Sequence, residues 1–131
     1  MIKYLIVIFV GILSVSLYAQ ETTSSWDKYP KIDAGQNWYE TYIIAENTYA
    51  ISAPNHWQGT ISYLLLGSDK ALLVDTGMGI GNIKKTVDAI TTLPVIVINS
   101  HSHYDHVSNN HHFETIYGRD LAFTEKNSSG H

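Results

Sequence analysis

Between residues 41 and 75 the apolar side chains come in short runs separated by turn formers. Residues 41–45 and 48–53 are rich in Tyr, Ile and Thr, and Glu46-Asn47 lies between them. That pattern predicts a hairpin with a tight turn. Residues 61–66 and 70–75 are near-continuous apolar runs joined by Gly67-Ser68-Asp69. They predict a second hairpin, buried on both faces over much of its length. Three Gly within residues 76–81 then mark a tight loop where backbone passes closely. After that loop the period changes. Ile83, Val87 and Ile90 recur at helical spacing, with Lys84, Lys85 and Asp88 on the other side. A short amphipathic helix over 82–92 is expected, closed by Pro94. Val95-Ile96-Val97-Ile98 reads as a strand inside a sheet, and 99–112 as a polar loop. Residues 115–117 suggest one more short strand, and 127–130 a frayed end.

Hairpin, hairpin, helix, strand is the order of an α/β (α+β) domain, and 131 residues suffice for one domain. The N-terminal stretch has a different composition. Lys3 precedes a long apolar run, and the small residues Ser14, Ser16 and Ala19 follow. This is the order of a secretory signal, residues 1–19, cut after Ala19. The 16 residues from Tyr4 to Ala19 fall short of the roughly 20 that span a bilayer. The expected product is exported, periplasmic or secreted, with no stable membrane association once the signal is removed. Residues 20–38 read as a mobile lead-in segment that Trp26 and Tyr29 could pin to the body. The body itself is 39–131.

Composition excludes several chemistries. The chain has no Cys, so disulfides, thiolate metal sites and Cys nucleophiles are ruled out. A formal charge of −4 with no basic cluster argues against a nucleic-acid partner. A small-molecule substrate fits better. Seven His remain as the unusual feature. Four residues with metal-ligand chemistry crowd the segment Asn99-Ser100-His101-Ser102-His103-Tyr104-Asp105-His106. In extended backbone, residues two apart point to one side, so His101 and His103 can share a cation. Asp105 and His106 come where the chain turns, so they can complete that site or hold a second ion. Imidazole and carboxylate donors suit Zn2+ first, with Fe and Mn open. The HxHxDH pattern arises by chance in about one chain in a thousand of this composition.

Other candidates carry weaker readings. His111 and His112 are adjacent and point apart, as surface or helix-cap residues do. His56 and Trp57 could line a substrate pocket, but a loop aromatic covering the core is the preferred reading. Asp75-Thr76-Gly77 has the form of an aspartic-protease triplet, yet that chemistry needs two carboxylates sharing a proton.

LLVDTG before a helix, followed by SHSHYDH after a buried strand, resembles the metallo-β-lactamase superfamily, in its order and spacing, over about residues 39–123. The resemblance implies a four-layer αββα sandwich with a metal site at the edge between its sheets. It implies that His101 and His103 bind one metal and that Asp105 and His106 bind a second. Asp75 would sit beneath, orienting nearby groups. The implied chemistry is hydrolysis, with hydroxide generated on one or two zinc ions attacking a carbonyl-type substrate such as a β-lactam. Asp105 would be catalytic, holding the water and relaying its proton. The family's downstream His and bridging Asp have no counterpart in matching context, Asp120 and His131 being the late candidates. Val107-Ser108-Asn109-Asn110 stands where many members have a Gly-rich step. The sequence therefore reads as the N-terminal half of such a sandwich, whose sheet would lack a partner layer on its inner face. Alternatives are a glyoxalase- or lactonase-like hydrolase, a truncated non-catalytic metal-binding fragment, or an exported β-rich binding module.

Overall fold

The structure, a computed structural model, describes residues 25–119 and 126–128. The expected signal segment, Asp120 and His131 lie outside the described residues. Among the described residues no helix is long and apolar enough to cross a membrane.

The described strands form a seven-stranded sheet whose spatial order is the chain order. They are β1 (Lys31–Ile32), β2 (Glu40–Ala45), β3 (Thr48–Ser52), β4 (Ile61–Leu66), β5 (Ala71–Val74), β6 (Val95–Ile98) and β7 (Thr115–Tyr117). Strands β1 to β5 pair antiparallel, as the two hairpin patterns predict. The pairs β5–β6 and β6–β7 are parallel. A parallel neighbour needs a crossover, and α1 (Ile83–Ile90) supplies it between β5 and β6. Asn82 caps α1 by accepting the Lys85 N–H. Ile83 and Val87 are fully buried on its inner face.

The core lies between α1 and one face of the sheet. It contains Ile51, Leu64, Leu73, Ile83, Val87, Val97 and Phe113. Register places Leu64 beside Leu73 and Leu73 beside Val97, so one apolar row crosses three strands. The opposite face carries a second row, Tyr63, Val74, Ile98 and Tyr117, paired strand to strand. Here the structure departs from the expectation of strands buried on both faces. Tyr63, Leu65, Ile98 and Tyr117 are exposed, because α1 lies on the other side.

The segment expected as a lead-in arm also has structure within the described residues. Lys31–Ile32 is an edge strand, and the Ile43 N–H donates to the Pro30 carbonyl. Trp26 stacks on Tyr42 at 5.2 Å between ring centroids, and Trp38 packs against the core.

Candidate metal centre

Chemistry-bearing residues collect where β5 and β6 end. These strands are parallel, so both of their following loops leave the same edge of the sheet. Asp75 follows β5 directly, with φ at 61°. Asp tolerates this left-handed backbone better than most residues. Its side chain is buried and accepts from the Ser100 N–H (2.7 Å), the Ser100 hydroxyl (2.6 Å) and His106 Nδ1 (2.8 Å). Ser100 thus ties the loop after β6 to the residue after β5.

The expected polar loop 99–112 is not irregular throughout. Tyr104–Val107 forms a short helix, α2, and Asn110–His112 a 3-10 turn. A four-residue helix is too short to show a hydrophobic period. Its support comes from outside: the Thr76 N–H donates to the His106 carbonyl, and the Ser108 N–H to the Gly77 carbonyl. Close approach of the glycine-rich loop makes this possible. A Cβ on Gly79, where φ is 83°, would lie 2.9 Å from the Ser108 Cβ.

Val107-Ser108-Asn109-Asn110, the step that departs from a Gly-rich pattern, is buried throughout. Asn109 donates to the Thr76 carbonyl at 2.9 Å. Asn110 accepts from the Thr76 hydroxyl at 2.9 Å and donates to the Asn99 side chain at 2.8 Å. Buried amides this well satisfied act as a rigid floor under the site. Asn127 and Ser128, expected to be frayed, take part as well: Asn127 donates to the Ser102 carbonyl, and Ser128 accepts from Asn110.

On this floor His101, His103 and Asp105 converge. One donor atom from each lies within 4.8 Å of the others. His101 and His103 project on one side while Ser102 between them is buried, as a two-residue alternation requires. Their rings meet edge to face at 4.8 Å between centroids. His106 is placed differently. Its ring lies 4.0 Å from that of His101, its Nδ1 engages Asp75, and its Nε2 is 3.3 Å from Asp105 Oδ2. A carboxylate only accepts, so Nδ1 must carry a proton toward Asp75. In the neutral ring Nε2 then faces Asp105 lone pair to lone pair, an arrangement that a cation between them would relieve.

The donor set fits a divalent cation. It offers imidazole nitrogen and carboxylate oxygen, no thiolate, and an open side at exposed His103. Asp75 stands behind His106, where a carboxylate holding a ligand imidazole commonly stands.

His111 and His112 lie apart from this cluster. His111 Nδ1 is 2.9 Å from the Ser108 carbonyl. The His112 imidazolium is disfavoured by burial and by His111, Lys84 and Lys85 nearby, which lowers its pKa. Trp57 is 85% exposed, so it does not cover the core as preferred above: its loop turns outward between β3 and β4. Residue patterning left out Gln58, which donates to Asp105 at 3.2 Å and accepts from the Tyr104 hydroxyl at 2.8 Å.

Known proteins resemble this chain in a sequence segment and in fold. Residues 57–118, which contain both LLVDTG and SHSHYDH, match the family described as the Metallo-beta-lactamase superfamily. The fold is similar to the crystal structure of a metallo beta lactamase from Erythrobacter litoralis with beta mercaptoethanol in the active site. The TM-score is 0.51 at 15% identity, covering 76% of this chain and 47% of that one. A second structure of a metallo beta lactamase from Erythrobacter litoralis gives 16% identity, a TM-score of 0.47, and coverage of 71% and 44%. A search of curated proteins finds no match. The resemblance read from the two motifs is therefore shown, and the sheet with its helices is a fragment of an α/β metallo-β-lactamase-like fold. This chain spans about half the length of the solved structures it matches.

Proposed function

We propose, from a segment that is metallo-β-lactamase-like in both sequence and fold, that this chain carries the metal-binding edge of a hydrolase. The observation that carries the reading is the convergence of His101, His103 and Asp105 donor atoms within 4.8 Å. His101 and His103 would hold one cation, with Zn2+ the first choice for this donor set. Asp105 and the Nε2 of His106 face each other closely enough to hold a second or to share the first. Such a cation, when bound, supplies a water of pKa near about 7 and polarises the substrate oxygen.

The remaining work falls to the chain's own side chains. Asp75 fixes the His106 tautomer by accepting a hydrogen bond from Nδ1–H, so that Nε2 faces the site. Asp105 is the proposed catalytic residue. Its carboxylate can hold a water and accept its proton, while Gln58, itself held by the Tyr104 hydroxyl, keeps it from rotating away. The proposed substrate is a small molecule with an attackable carbonyl, such as a β-lactam, with lactones and thioesters as the neighbouring possibilities. Export is proposed on the 1–19 segment alone.

A second reading has its own support. Only three donors form the tight cluster among the described residues, and His106 is engaged by Asp75. A chain of that kind can bind a cation without turnover. Two measurements on the full chain separate the readings. Zn2+ uptake with hydrolysis of a chromogenic β-lactam, a lactone or a thioester supports the hydrolase. Uptake without hydrolysis supports the binding fragment, and no uptake removes both.

A further inference from the structure

The connection between β3 and β4 is a compact turn. The His56 N–H donates to the Ala53 carbonyl, the Gly59 N–H to that of His56, and the Ala53 N–H to that of Thr60. From this turn Gln58 reaches across to α2, 47 residues away in sequence, and meets Asp105. Chemistry fixes which way its amide faces. The Asp105 carboxylate only accepts, so the NH2 group must face it, which leaves Oε1 for the Tyr104 hydroxyl. Asp105 Oδ2 is thereby set between Gln58 Nε2 at 3.2 Å and His106 Nε2 at 3.3 Å. The backbone N–H of Gln58 donates to His56 Nδ1 at 3.2 Å, and the His56 ring packs on Trp57 at 5.7 Å between centroids. An unbroken series of contacts thus runs from an exposed tryptophan to a proposed metal ligand.

We infer that Gln58 is a positioning residue: it sets the Asp105 carboxylate for a cation and couples occupancy of the site to the Trp57 turn. The inference rests on the metal reading above. Ordering a long amide side chain has an entropic cost, and here two directional bonds of opposite sense offset it. Coupling between sites is reciprocal. If the Gln58 bond favours the ligating orientation of Asp105, a bound cation must in turn favour the bonded state of Gln58. The ring that follows that state is Trp57.

The test uses the full chain, with Zn2+ and Co2+ as probes. Zn2+ affinity is measured by competition with a chromophoric chelator, and the visible absorption of bound Co2+ reports ligand geometry. Gln58→Leu is expected to weaken Zn2+ binding about 10-fold or more, as loss of a ligand's hydrogen-bond partner commonly does. It should also shift the Co2+ bands while leaving the metal-free urea midpoint in place. Tyr104→Phe removes only the far bond and should give a smaller loss in the same direction. Zn2+ should change the emission of Trp57, identified as the signal missing in Trp57→Phe, and Gln58→Leu should abolish that change. If Gln58→Leu lowers the metal-free midpoint, Tyr104→Phe decides. Wild-type affinity and an unaltered Co2+ spectrum in the deciding variant would overturn this inference alone. A wild-type chain that takes up no Zn2+ overturns the metal reading and this inference with it.

Discussion

His106 Nδ1 lies 2.8 Å from Asp75 Oδ2, so a residue at the end of one parallel strand sets the ring orientation of a residue in the loop after the next. Asp75→Asn tests this relationship directly. Asn has the same size and tolerates the same left-handed backbone, so the fold should persist. What changes is the charge and the acceptor facing His106. Zn2+ affinity should fall about 10- to 100-fold, read by chelator competition, with the far-UV circular dichroism unchanged.

Removing the two histidines of the cluster should abolish the site without harming the core. His101 and His103 lie outside the buried core of the sheet. In His101→Ala with His103→Ala, the rise in melting temperature on adding Zn2+ should vanish. The metal-free melting temperature should stay near that of the wild type. A persistent Zn2+ response in the double variant would place the cation elsewhere.

The two faces of β4 should respond differently to truncation. Leu64 is fully buried between the sheet and α1, while Leu65 is exposed on the opposite face. Leu64→Ala should cost about 2–5 kcal/mol, and Leu65→Ala about 1 kcal/mol or less. Urea unfolding of the two variants side by side measures the difference.

Gly79→Ala should loosen the site from a distance. Its φ of 83° disfavours an L side chain, and the new Cβ would press on Ser108 at 2.9 Å. The strain should cost about 1–3 kcal/mol. Ser108 is the residue that closes α2, so Zn2+ affinity should fall together with the urea midpoint.

Alkali should unfold the protein through two tyrosines. Burial pushes the Tyr39 hydroxyl up to about 12, against a smaller opposite pull from Asn109. Tyr42 is also pushed to about 12, chiefly because its hydroxyl donates to Glu40 at 2.6 Å. Both pKa values are raised in the folded state, and in the unfolded chain these groups ionise near about 10. Their contribution is therefore fully present below about pH 10 and lost as pH rises to about 12. An absorbance titration should show a late-ionising pair, and Tyr42→Phe should flatten the alkaline fall in stability.

Much of this architecture could be read from patterning. Alternation and apolar runs located β2 to β6, and the shift to helical spacing at Ile83, Val87 and Ile90 located α1. What escaped was structure whose cause lies far along the chain. The two-residue strand β1 exists because Pro30 and Lys31 find β2. The helix α2 exists because residues 76–77 brace it, and four residues cannot show a period. Asn109 and Asn110 fall in the stretch that reads as a polar loop, yet they are buried because Thr76 and Asn99 satisfy them. The HxHxDH spacing drew attention to the right side chains. It did not reveal that Asp105 would join His101 and His103 while His106 turned to Asp75. Gln58 had no local signature, because its partners are reached only when β3 and β4 bring its turn against α2.

The tight donor cluster occupies five consecutive positions, 101 to 105. Such closely spaced donors remain near one another even in a denatured chain, which must therefore keep part of the affinity. A ligand stabilises a fold only by its preference for the native state over the denatured one. Zn2+ should thus raise the melting temperature by less than its native affinity alone would give. The share it does contribute comes through contacts that only the folded chain makes: Gln58 on Asp105, and Asp75 on His106 once the crossover between β5 and β6 has closed.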